Sequence, residues 1–139
     1  MTFRWNEAEV SRLLQEPGGA VYDHIEEITR RTLAEARTLC PHKTGRTAAS
    51  LQMRMEANAR QVRGTVWSDD PVVRYLEQGT GLWGPEHRVI TPVRARVMGP
   101  IGAPYPRFLR SQQGMRPQPF LRRALSNASP YPVVYTGFE

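Results

Sequence analysis

Between Ala20 and Leu39 the positions Val21, Ile25, Ile28, Thr32, Ala36 and Leu39 return every three or four residues, while Glu26, Glu27, Arg30, Arg31 and Arg37 fall on other faces. That spacing predicts one amphipathic helix of about five turns, which must lay its apolar stripe on something. Pro41 has no amide hydrogen to continue the ladder and ends it. What the stripe covers is written immediately downstream. Leu51, Met53 and Met55 alternate with Gln52, Arg54 and Glu56, and after a polar break at Asn58-Ala59-Arg60 the residues Val62, Gly64 and Val66 again step by two. Leu51 to Ser68 therefore reads as two half-buried antiparallel strands joined by a short turn. Alanine and serine at 48 to 50 offer an extra helical turn before them. The class is α+β: a long amphipathic helix packed on a small antiparallel sheet, with short second and final helices and a long Pro/Gly-rich loop.

The remaining elements are shorter. Asn6 to Gln15 has Val10, Leu13 and Leu14 at helical spacing and stops at Pro17-Gly18-Gly19. Asp69-Asp70-Pro71 is a helix start, with an aspartate cap and proline in the first turn, and Gly79-Thr80-Gly81 ends that helix. Twelve prolines and eleven glycines crowd the second half and make Leu82 to Pro106 irregular, with one strand expected around Arg88 to Thr91. Phe108 and Leu109 begin a last strand, and Pro119 to Ala128 forms a final helix with Phe120, Leu121, Ala124 and Leu125 on one face. A chain of 139 residues is read as one domain, 1–139, with an N-terminal arm, 1–19, and a C-terminal tail, 129–139. Tyr131, Val133, Val134, Tyr135 and Phe138 make that tail too apolar to serve as a solubilising one, so it is expected to dock, on a neighbouring subunit by preference.

Little in the chain points to chemistry. Cys40 is the only cysteine, which leaves no intrachain disulfide and no thiolate cluster, and its place beside an apolar helix face suits packing. His24, His42 and His87 lack the paired spacing of a metal-binding helix, and no glycine-rich phosphate loop precedes a helix. Asp69 and Asp70 are explained by helix capping, and Asn127-Ala128-Ser129, although a glycosylation acceptor in form, follows no secretion signal. No catalytic residue, metal or cofactor is assigned, and the chain is not expected to be an enzyme. No run approaches the roughly 20 apolar residues of a membrane helix, so a protein made in a cytoplasm, without a membrane partner, is expected. The net charge is +6, with Lys43 the only lysine. The arginines from Arg4 to Arg123 form no block, so interface pairing and nucleic-acid contact both remain open.

Three stretches carry a resemblance. Pro41-His42-Lys43-Thr44-Gly45-Arg46-Thr47-Ala48-Ala49-Ser50-Leu51, then Tyr75-Leu76-Glu77-Gln78-Gly79-Thr80-Gly81, then Gly114-Met115-Arg116-Pro117-Gln118-Pro119-Phe120-Leu121-Arg122-Arg123-Ala124-Leu125 follow one another over most of the chain. In order and spacing they resemble the tail-completion, or minor tail component, family in the head-to-tail gene block of lambda-like siphophages. Lys43 stands where that family has aspartate, Thr47 where it has leucine, Val72-Val73 where a Tyr-Ala pair is common, and Arg123 where it has a second proline. The first nineteen residues and the tail after Ala128 lie outside the resemblance.

The resemblance implies a structural virion protein of the bacteriophage neck, which completes the tail end or joins tail to head as a ring around the DNA channel. The implied partners are copies of itself in a sixfold ring, the adjacent head stopper, tail terminator and tail tube proteins, and non-specific contact with DNA in the channel. The implied location is the virion, after synthesis in the host bacterial cytoplasm. A tail terminator or head stopper of the same neck is the nearest alternative. A basic nucleic-acid-binding protein or a small ribonuclease-like toxin is the alternative of another class. Physically the motifs read as architecture: Thr44 and Gly45 reverse the chain after the long helix, Gly79 and Gly81 permit positive φ, Thr80 lies between them, and Pro119 opens a helix anchored by Phe120 and Leu121. Trp83, Phe108 and the tail aromatics are expected at subunit contacts. Glu77 is expected to pair with Arg46 or Arg116.

Overall fold

The computed structural model describes residues 4, 6–41, 45–101 and 107–136; Thr44, His42, Lys43 and Phe138 lie outside the described residues. The chain gathers into two compact units, Met1–Asp69 with Leu121–Glu139, and Asp70–Phe120.

In the first unit α1 (Glu7–Gln15) and α2 (Ala20–Leu39) are the two expected helices. The break between them turns at Gly18, φ +93°, whose amide donates to Asp23 Oδ1 at 2.9 Å. Cys40 closes α2 by donating its amide to the Ala36 carbonyl, and Pro41 follows. On the solvent side Arg30 pairs with Glu26 and Arg31 with Glu27, one helical turn back. The inner face is smaller than the sequence suggested: Thr29, Thr32 and Ala36 are buried, whereas Val21 is exposed and Ile25, Ile28 and Leu39 are half-buried. The two threonine hydroxyls satisfy themselves on the Ile25 and Ile28 carbonyls.

That narrow face rests on the hairpin β1 (Gln52–Ala57) and β2 (Val62–Trp67). The register sets Met53 opposite Val66 and Met55 opposite Gly64, so the alternating apolar residues share one face. Asn58 makes the turn, its Oδ1 accepting from the amides of Arg60 and Gln61 at 2.9 Å each. Gly64 meets α2 directly, since a Cβ there would overlap the Thr29 side chain. Between helix and hairpin, Gly45 takes a left-handed φ of +73° and α3 (Arg46–Ala49) adds one turn, which is the helical option for residues 48 to 50. Leu51 is fully buried, its carbonyl accepts from Arg37 Nη2 at 2.9 Å, and the Ser50 and Ser68 hydroxyls meet at 2.7 Å. These bonds fasten both feet of the hairpin.

Also in this unit lies α5 (Phe120–Ala128) from Leu121 onward, with Ala124 fully buried and Asn127 Nδ2 donating to Glu35 of α2 at 3.0 Å. The chain then returns along its own helices: the Tyr131 hydroxyl meets His24 Nε2 at 2.8 Å, and the Tyr135 hydroxyl meets Ser126 Oγ.

The second unit opens with α4 (Pro71–Gln78), capped by Asp70, whose Oδ1 accepts from the Val72 amide at 3.0 Å. Removing that acceptor in Asp70→Ala is expected to cost about 1 kcal/mol of stability, read as a lower thermal midpoint. Val73, Leu76 and Glu77 are buried and Val72 and Tyr75 exposed, so only part of the apolar helix face turns inward. A 3-10 turn, Gly81–Trp83, follows. No strand forms at Arg88 to Thr91; a single bridge joins Ile90 to Gln112, because Pro92 cannot donate to a longer ladder. The regular pairing lies further on, between β3 (Met98–Ile101) and β4 (Arg107–Leu109), with a register shift between Met98 and Ile101. Together the two units give a long helix on a small antiparallel sheet with additional short helices, an α+β protein. Among the described residues no helix is long and apolar enough to cross a membrane.

Candidate functional site

Within the second unit the chain around Gly79 to Trp83 meets the chain around Gln113 to Gln118. Gly79 ends α4 with φ 77° and ψ 177°, a combination open essentially to glycine alone. It turns the next residues across the incoming segment. The Thr80 amide donates to the Met115 carbonyl at 2.9 Å, and the Met115 amide returns a bond to Thr80 Oγ1 at 3.0 Å. On either side the Leu82 amide donates to the Gln113 carbonyl at 2.8 Å, and the Gln118 amide to the Leu76 carbonyl at 2.6 Å. The end of α4 and the turn after it are thus held to the incoming segment by three backbone-to-backbone bonds, and Thr80 supplies a fourth through its side chain.

The approach is so close that it excludes side chains. A Cβ on Gly79 would lie 2.8 Å from the Met115 carbonyl oxygen and 2.9 Å from Pro117 Cδ. One on Gly81 would overlap the Gln113 carbonyl, and one on Gly114 the Thr80 carbonyl. Gly81 and Gly114 also have left-handed φ values of +64° and +93°. Outside the clasp, the Arg116 guanidinium stacks over the Trp83 ring at 4.5 Å from its centroid, and Trp83 stays 41% exposed.

The second and third sequence stretches that carry the resemblance, 35 residues apart, are thereby one structure. Gly79, Thr80, Trp83 and Arg116 sit within it, Pro119 is half-buried, and Phe120 is buried at the start of α5. Leu121 is half-buried in the first unit, with Gly45 and Arg46 of the first stretch. Glu77 is buried in α4, and the Arg116 guanidinium lies over the Trp83 ring. The sequence reading noted the glycines as turn formers and missed that Gly114 is the partner of Gly81; the repeated Gly-x-Gly and Gly-x-Arg-Pro spacing carries no sign of which segment opposes which.

Beside the clasp runs an open groove of about 790 Å³, walled by Tyr75, Val89, Ile90 and Val93 with Arg74 and Arg88 at its margin. Those four apolar side chains are all exposed, as is Phe108 on β4 at 66%. In the first unit Val134 is 83% exposed. His24 bonds to Tyr131 and His87 Nδ1 approaches the Leu82 carbonyl at 3.1 Å, so neither imidazole faces a carboxylate or a nucleophile. Among the described residues no group of three or more His, Cys, Asp or Glu side chains is arranged to hold a metal ion. Cys40 is buried. Compared with protein-family models, with curated proteins and with solved structures, the chain finds no match.

Proposed function

We propose that this chain is a structural subunit of a bacteriophage neck, which assembles head to tail into a sixfold ring that completes the tail end or joins it to the head. The observation that carries the reading is the clasp: two of the three stretches resembling the tail-completion family are bonded into one structure. A sequence pattern used for backbone locking suits a scaffold that must present the same surface in every copy. The exposed Trp83, Phe108, Val93 and Val134 add apolar surface of the kind that two complementary faces of a closed ring require.

The tail bears on how such a ring is held. Tyr131 and Tyr135 are bonded within their own chain, whereas Val134 between them points its side chain into solvent. Val134→Asp is therefore expected to leave the thermal midpoint unchanged and to abolish rings in sedimentation or electron microscopy. A ring that forms normally with aspartate at 134 removes the tail from the interface. The role itself is tested by deleting the gene from the phage or prophage that carries it. Filled heads lying apart from tails support joining or completion, altered tail length indicates the terminator, and normal virions refute the neck reading.

A further inference from the structure

After Glu86 no Asp or Glu occurs until Glu139, and eight arginines fall in between: Arg88, Arg94, Arg96, Arg107, Arg110, Arg116, Arg122 and Arg123. The residues before that point carry eleven basic and twelve acidic side chains. All of the net positive charge thus belongs to the second part of the chain.

The β3–β4 arm brings part of it together. Ile90 is bridged to Gln112, and Met98 is paired with Leu109. On one side the chain goes from 109 to 112 in three steps, about 10 Å at most, while on the other it takes eight steps from 90 to 98, about 26 Å of contour. Residues 91–97 must therefore bow out from the arm. Val93, near the crest, is 97% exposed, and Arg94 and Arg96 follow it, both exposed. Arg110, also exposed, follows β4 on the short stretch 109–112 that the bow spans. Arg12, Arg30, Arg31, Arg54 and Arg88 each have a glutamate within 4 Å. Among the described residues Arg94, Arg96 and Arg110 have none.

Three exposed guanidiniums with no carboxylate within 4 Å leave a local excess of positive charge that attracts anions. The element offers no helix to enter a major groove, and among its described residues Phe108 is a single exposed ring, not the succession of aromatics that stacks on unpaired bases. Regularly spaced phosphates on a duplex are the chemistry that remains. We propose that the bow 91–97, with Arg110, grips the phosphate backbone of double-stranded DNA without reading its sequence. This contact requires neither a ring nor a virion, so its failure is distinguishable from failure of the neck reading.

The test is the affinity of the purified full chain for a labelled mixed-sequence duplex from about 50 to 200 mM salt. Two triple variants, Arg94→Gln with Arg96→Gln and Arg110→Gln, and Arg12→Gln with Arg30→Gln and Arg31→Gln, lose the same formal charge. The first is expected to flatten the slope of log K against log salt by about 2 to 3 units, since each phosphate contact contributes about 0.9. The second is expected to leave the slope close to that of the parent. Equal slopes in the two variants overturn the local contact in favour of overall charge. Binding to phosphatidylserine vesicles without binding to the duplex overturns DNA as the partner. Circular dichroism of both variants checks that the fold is retained.

Discussion

Gly114→Ala is expected to lower stability by about 2 to 5 kcal/mol, roughly 5 to 20 °C in thermal midpoint for a chain of this size. Two costs add. At φ +93° an L side chain is strained by about 1 to 2 kcal/mol. The added methyl also overlaps the Thr80 carbonyl oxygen, and relieving it means parting the bonds from Thr80 and Leu82 to Met115 and Gln113, worth about 1 to 3 kcal/mol as overpacking. Gly18 provides the control, because its φ is the same and nothing lies within 4 Å of a Cβ there. Gly18→Ala should show the strain alone. If the two variants unfold at the same temperature, the clasp is not closely packed and its glycines serve only as hinges. Amide exchange separates the effects further: in Gly114→Ala the Thr80, Leu82 and Met115 amides should exchange much faster, and in Gly18→Ala they should not.

Gly64→Ala is the second large effect expected, because it wedges helix α2 off the hairpin. The new Cβ would overlap Thr29 Oγ1 and lie 2.9 Å from Thr29 Cβ, with that threonine buried on the inner face of α2. A loss of about 1 to 3 kcal/mol follows from overpacking. The mechanism predicts coupling. Thr29→Ala removes the hydroxyl and the methyl that collide, so the double variant should be more stable than the sum of the single losses by about 1 kcal/mol or more. Strict additivity in denaturant midpoints would show that Gly64 matters through its backbone and not through the space it leaves for the helix.

The two glycine sites also mark the limit of what could be read without coordinates. Periodicity placed α2 to the residue, because its stripe is long and Pro41 ends it. It likewise separated the faces of β1 and β2, where Met53, Met55, Val62 and Val66 recur by twos. It did not reveal that Thr29 and Gly64 pack against each other, since a threonine between Ile28 and Arg30 looks peripheral and a strand glycine looks like a defect. The Gly81–Gly114 partnership was equally hidden, being a pairing of two loops with no period of their own. Pro92 was visible and should have argued against a strand at Arg88 to Thr91, as it cannot donate to a ladder. The stretch between Glu86 and Glu139, which holds eight arginines and no Asp or Glu, is legible in the sequence as well.

The first unit is discontinuous in sequence, with the whole of the second inserted between Asp69 and Leu121. On a ribosome this fixes an order of events. Residues 70–120 are contiguous, so the clasp can close as soon as they emerge. The long helix and its hairpin emerge first but wait for α5, which brings the fully buried Ala124 and the bond from Asn127 to Glu35. Until then a 51-residue loop has to be closed over. The nascent chain therefore carries its first unit unfinished until residues 121–128 emerge, and a chain cut after Phe120 keeps the contiguous second unit while losing the last helix of the first.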